Sequence, residues 1–304
     1  MQIFLLLLLA GFLSAPSFQE PEPYQISVNV HLVVVHATVH DSKGRVASDL
    51  IKQDFALYED GVLQSLRLFQ HEDVPVTVGL VIDHSGSMRA KIADVVAAGR
   101  AFAQSSNPQD QMFVVNFNEK VTLGLPSSMQ FTSQASELTR AIENTPTIGQ
   151  TALYDAFIEA RHRLANGKWD KKVLIVISDG GDNRSRHSFA DALRIAGESG
   201  ALVYSIGIFD PQDQDRNPKV LKRLAEITGG EAFFPDRYDK VVEDCEHIAR
   251  EIRHQYTLGY ISSNTKASKE SRAIRVVAKA GGKGKLSVRA RSGYVAAEES
   301  RLGK

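Results

Sequence analysis

The sequence predicts an α/β fold, a doubly wound and mostly parallel sheet inserted in a smaller all-β domain. Three observations carry that prediction. Between residues 75 and 253, short apolar runs alternate with segments of helical apolar spacing, the pattern of a parallel sheet covered by helices. The first of those runs, residues 76–82, is apolar on both faces and ends in Asp83, as a buried parallel strand does. Residues 24–73 and 255–295 instead read as all-β, with strand segments separated by turn and loop signals. Chain ends that lie close together suit a domain insertion. One discontinuous β-domain is therefore the economical arrangement, and two unrelated β flaps are the alternative.

In chain order, Val28, Val30, Leu32 and Val34 alternate with other residues, which is strand periodicity. Asp41-Ser42-Lys43-Gly44 is a turn signal. Residues 55–58 and 65–69 are strand candidates, with Glu59-Asp60-Gly61 turning between them. Within the α/β region, strands are expected at 76–82, 112–117, 173–177, 203–208 and 232–234. Residues 121–123 are an expected antiparallel edge after the Asn118-Glu119-Lys120 turn. Helices are expected at 90–103, 152–164, 189–198, 220–227 and 241–252, with Gly229-Gly230 stopping the fourth. Residues 256–260, 273–278 and 286–288 then read as strands again.

The chain has 304 residues, enough for one large domain or two modest ones. Its 36 basic residues balance its 36 acidic ones, which gives no reason to expect nucleic acid or an anionic membrane surface as partner. The single cysteine, Cys245, permits no intrachain disulfide. Its spacing with Val241, Val242, Ile248, Ala249 and Ile252 puts it on the buried stripe of the last helix. Residues 3–13 form an apolar run too short to span a membrane, and Ser14, Ala15 and Ser17 follow it. This pattern predicts a secretory leader cut after Ser17, although no Lys or Arg precedes the run. The expected location is accordingly secreted, periplasmic or in the cell envelope.

The chemistry concentrates in Asp83-His84-Ser85-Gly86-Ser87, directly after the first buried strand. In extended chain, side chains two apart point the same way, so Asp83, Ser85 and Ser87 can converge. All three offer oxygen, which hard cations such as Mg²⁺ prefer. Gly149-Gln150-Thr151 opens a helix and Ser178-Asp179-Gly180 ends another parallel strand. Ligands of open α/β sheets bind outside the carboxyl ends of the strands, where strand order reverses. Both segments can reach that place.

Together, DHSGS at 83–87, GQT at 149–151 and SDG at 178–180 resemble the metal-ion-dependent adhesion site (MIDAS) of the von Willebrand factor A (VWA) family. The β flanks are similar to a bacterial, acidobacterial-type subgroup of it. The resemblance implies a Rossmann-like VWA domain over 75–253 and one Mg²⁺ (or Mn²⁺ or Ca²⁺). Ser85 and Ser87 would be direct ligands and Thr151 a direct or water-mediated one. Asp83 and Asp179 would accept hydrogen bonds from metal-bound waters. The implied activity is non-catalytic, cation-dependent binding of a protein that presents an Asp or Glu. The alternative is a structural or assembly component whose cation only stabilises the fold.

Other motifs point elsewhere less specifically. Asp210, Asp213 and Asp215 share one loop but lack the Gly and final Glu of an EF-hand, so a solvated loop is expected rather than a second cation site. Asp182 and Asn183 are expected at the edge of the site. His31 faces opposite to His36 and His40, and no HExxH spacing suggests zinc. His84-Ser85 lacks the GxSxG elbow of a hydrolase, and neither GxGxxG nor a P-loop is present.

Overall fold

The computed structural model describes residues 32–210, 216–264 and 271–295. The expected leader, His31, the start of the first strand, and Asp213 and Asp215 lie outside the described residues. The strands are β1 (Leu32–His40), β2 (Phe55–Glu59), β3 (Val62–Gln64), β4 (Leu66–Gln70), β5 (Thr77–Asp83), β6 (Gln111–Phe117), β7 (Val121–Leu123), β8 (Lys172–Ser178), β9 (Leu202–Gly207), β10 (Ala232–Phe233), β11 (Tyr256–Ile261), β12 (Ser271–Ala278), β13 (Ser287–Ala290) and β14 (Gly293–Val295). The helices are α1 (Ile92–Ser105), α2 (Ala135–Glu143), α3 (Leu153–Ala165), α4 (Phe189–Glu198), α5 (Pro218–Thr228) and α6 (Lys240–Arg253).

The central sheet runs β10-β9-β8-β5-β6-β7. It is parallel except for β7, the expected antiparallel edge. All seven residues of β5 are buried, which explains its apolar composition on both faces. From β5 the chain crosses over α1 to β6 on one side, whereas β8 and β9 lie on the other. The order therefore reverses between β5 and β8. The carboxyl ends of those two strands, Asp83 and Ser178, flank the crevice that such a reversal opens.

Local chemistry sets the helix ends. Ser188 accepts from the Asp191 N–H, and the Asp191 carboxylate accepts from the Ser188 N–H, a capping box that starts α4. Pro218 opens α5, and Gly229 closes it in the left-handed conformation. Cys245 is fully buried on α6, and burial pushes its thiol well above the ordinary value. The α/β core includes Val81, Phe102, Phe117, Phe157, Val176 and Ile206.

Strands from both flanks pair with each other in two further antiparallel sheets, ordered β13-β1-β11-β4 and β14-β12-β2-β3. β1 lies between β11 and β13, and β2 pairs with β12. Val35, Ala37, Leu57, Tyr256 and Leu258 belong to the apolar cluster of these sheets. One expectation is corrected here. Glu59-Asp60-Gly61 does not turn between strands 55–58 and 65–69. Asp60, at positive φ, and Gly61 turn β2 into β3, and β4 leaves to pair with β11 in the other sheet. His36 has its Nδ1 3.1 Å from the Thr257 hydroxyl. Burial, with Lys171 and Arg291 nearby, pushes its imidazole down to about 3.

Candidate metal centre

Asp83 ends β5 with its side chain fully buried. Its Oδ1 accepts from the Ser85 N–H at 2.8 Å, which folds the chain back sharply after the strand. Its Oδ2 accepts from the Ser178 hydroxyl at 2.6 Å. The ends of β5 and β8 are thus joined across the crevice. Burial, reinforced by the Asp179 carboxylate, raises the Asp83 carboxyl to about 7. Two acidic groups therefore share one poorly hydrated place.

Ser85 and Ser87 are brought together with Asp179. The Ser85 and Ser87 Oγ atoms lie 3.0 Å apart, and the Ser87 hydroxyl donates to Asp179 Oδ2 at 2.6 Å. Asp179 Oδ1 accepts from the Gly181 N–H. The 178–180 loop needs its glycine. Gly180 has φ +79°, and a Cβ there would lie 2.4 Å from the Asn217 carbonyl oxygen.

The segment carrying Thr151 is fastened from several sides. The Gly86 N–H donates to the Gly149 carbonyl at 3.0 Å, and the Ile148 N–H donates to the His84 carbonyl at 2.9 Å. Thr151 itself is 7% exposed. Its N–H donates to Asn183 Oδ1, and its carbonyl accepts from the Asn183 and Arg184 N–H groups. Asp182 accepts from the Tyr154 N–H, at the start of α3. Asp182 and Asn183, expected only at the edge of the site, are therefore its scaffolding.

Two roles were not legible beforehand. His84 has Nε2 3.2 Å from Asn116 Oδ1 and Nδ1 3.4 Å from the Thr147 hydroxyl. Asn116 also donates to the Ala141 carbonyl and the Thr145 hydroxyl. His84 and Asn116 together anchor the 144–151 segment. Lys91 is 1% exposed and donates from Nζ to the Ile208 carbonyl at 3.0 Å, linking the turn before α1 to the end of β9. Both polar side chains are buried, and spacing alone gives no signal for partners that distant in sequence.

The family model described as von Willebrand factor type A domain matches residues 78–181. A von Willebrand factor type A protein from Catenulispora acidiphila has a similar fold, at TM-score 0.54 and 14% identity, over 88% of this chain and 75% of its own. The vWF domain of the type V pili tip protein Mfa5 from Porphyromonas gingivalis follows at TM-score 0.50 and 17% identity, over 59% of this chain and 95% of its own. Proximal thread matrix protein 1 from the mussel byssus, in a form with a zinc-occupied MIDAS motif, gives 0.51 and 17%, over 66% of this chain and 50% of its own. No curated protein matches the chain. The family match and these fold neighbours support a VWA domain built on the six-stranded sheet.

Proposed function

We propose that Asp83, Ser85, Ser87, Thr151 and Asp179 hold one divalent cation, Mg²⁺ by preference or Mn²⁺ or Ca²⁺. Through it, the chain would bind a protein partner that presents an Asp or Glu carboxylate. The observation that carries this reading is the hydrogen-bonded chain from Ser85 through Ser87 to Asp179 beside the buried Asp83. Its donor set is hydroxyl and carboxylate oxygen, which suits a hard cation. The fit extends to charge. Asp83 is disfavoured as an anion by burial and by Asp179, and a cation placed between these groups would offset that cost. When bound, the cation would supply a positive centre for an incoming carboxylate. Ser85, Ser87 and Thr151 would be the direct ligands and are neutral, and Asp83 and Asp179 would act through metal-bound waters, which leaves a coordination position where an incoming carboxylate supplies the direct negative charge.

A non-catalytic role is part of the proposal. His84 faces Asn116 and Thr147, and the Ser85 hydroxyl faces Ser87. The His84-Ser85 pair is thus not arranged as base and nucleophile. Export is proposed from the apolar leader, and mass spectrometry of the mature protein from its native host tests it. An intact Met1 on membrane-bound protein would overturn it. Among the described residues, no helix is long and apolar enough to cross a membrane.

The functional test is capture of a partner from the native cell envelope by the full chain, with Mg²⁺ and with EDTA, alongside Ser85→Ala and Asp179→Ala. The proposal expects capture with Mg²⁺ only, and loss in both variants at nearly unchanged melting temperature. A large fall in melting temperature with capture retained would assign the cation to stability alone.

A further inference from the structure

A second cluster of metal-ligating groups lies where α6 meets the β10 edge of the central sheet, and it shares no residue with the site above. One ligand-capable atom from each of Glu231, His247 and Glu251 lies within 4.8 Å of the other two. Glu231 sits in the loop before β10, its carbonyl fixed by the Ser205 N–H. His247 and Glu251 are four apart on α6, and therefore on one face. Phe233 stands edge-on to the His247 ring, at 5.6 Å and 69°, and limits how the ring can turn.

The two oxygens of Glu251 are treated differently. Its side chain is fully buried. Oε1 accepts from the Thr38 and Tyr204 hydroxyls and from Arg289. Oε2 is buried and accepts no hydrogen bond. His247 Nε2 lies 3.8 Å from Oε2, beyond hydrogen-bond range. It is near the about 3.3 Å that separates two ligands of a tetrahedral zinc ion with bonds of about 2 Å. A second buried oxygen without a hydrogen bond, Asp244 Oδ2, lies one turn before His247. Burial, with Glu243 and Glu231 nearby, raises the Asp244 carboxyl. An unpaired buried carboxylate oxygen is costly. Arg289 pairs with both Glu231 and Glu251. It neutralises only one of the cluster's two carboxylate charges, and it braces two of the three proposed ligands from outside.

We propose that Glu231, His247 and Glu251 form a second metal site, selective for a zinc-class transition-metal cation. An imidazole with two carboxylates is a ligand set for zinc rather than for Mg²⁺. Such an ion would tie α6 to the β10 edge. Through Arg289 and Thr38, it would also stiffen the contact with β13 and β1.

The test is calorimetric titration of Zn²⁺ into the chelator-stripped full chain, in wild-type and Asp179→Ala backgrounds, with Co²⁺ absorption as a second readout. The proposal expects one Zn²⁺ equivalent to survive Asp179→Ala. That equivalent, and the visible band of low-coordinate cobalt, should disappear on adding His247→Ala. His247 is 40% exposed, so the variant should fold. Glu231→Gln gives an independent check if it does not. A Zn²⁺ equivalent untouched by both substitutions would overturn the proposal. So would no binding at all in the Asp179→Ala background, which would leave an ordered water as the partner of Glu251 Oε2.

Discussion

Glu59 illustrates how single residues hold the flanks together. Its side chain is 1% exposed. It accepts from the Tyr260, Ser262 and Tyr294 hydroxyls and pairs with Arg272 at 3.2 Å. Burial raises its carboxyl, but those hydroxyls and the guanidinium outweigh burial and hold it below the usual glutamate range. The unfolded chain takes up a proton near pH 4.3, and the folded chain only at lower pH. The stabilisation is therefore complete above about pH 4.3 and is lost as pH falls through the folded value. Glu59→Ala should cost about 3–5 kcal/mol at pH 7 in urea denaturation, because it breaks the buried ion pair with Arg272 and removes the acceptor of three hydroxyls. Glu59→Gln should flatten the fall in stability below about pH 4.3. An unchanged slope in that variant would remove Glu59 from the acid response. None of these partners was legible in the sequence, since Ser262, Arg272 and Tyr294 lie more than 200 residues away.

Among elements, the buried strands of the central sheet were legible from composition alone, whereas α2 and β3 were missed. β5, β6, β8 and β9 are buried nearly throughout, so their composition carries their identity. α2 was missed because only nine residues, mostly polar, carry its pattern, with Leu138 and Ile142 as its large buried groups. β3 was missed because Val62 and Leu63 remain exposed on a sheet edge. The site segments were read as short motifs at strand and helix ends, and the structure places them there. Gly180 offers a test at this scale. Gly180→Ala puts a Cβ against the Asn217 carbonyl at positive φ. It should cost about 1–3 kcal/mol and weaken cation binding by moving Asp179. Thermal denaturation and Mn²⁺ titration read the two effects. Wild-type values in both would mean that the 178–180 loop is not fixed by this glycine.

For the whole molecule, we propose that the amino- and carboxyl-terminal flanks form one β unit into which the VWA domain is inserted. β1 and β2 find their partners in β11, β12 and β13. The seam is polar and specific. Arg253 pairs with Asp73 at 2.7 Å, and Arg291 donates to the Gly197 carbonyl at 2.7 Å. Removing residues 255–304 would expose the edges of β1, β2 and β4, and the truncated chain should aggregate. A soluble truncation that still protects residues 32–70 from protease would contradict the arrangement.

The proposed binding function depends on one cation at the crevice between β5 and β8. The most direct measurement is a Mn²⁺ titration of the chelator-stripped full chain followed by electron paramagnetic resonance, in wild-type, Asp179→Ala and Ser87→Ala proteins that keep native circular dichroism. The account predicts a bound Mn²⁺ that Mg²⁺ displaces in the wild type and that both variants lose. The same Mg²⁺-displaceable Mn²⁺ bound equally in all three proteins would contradict it.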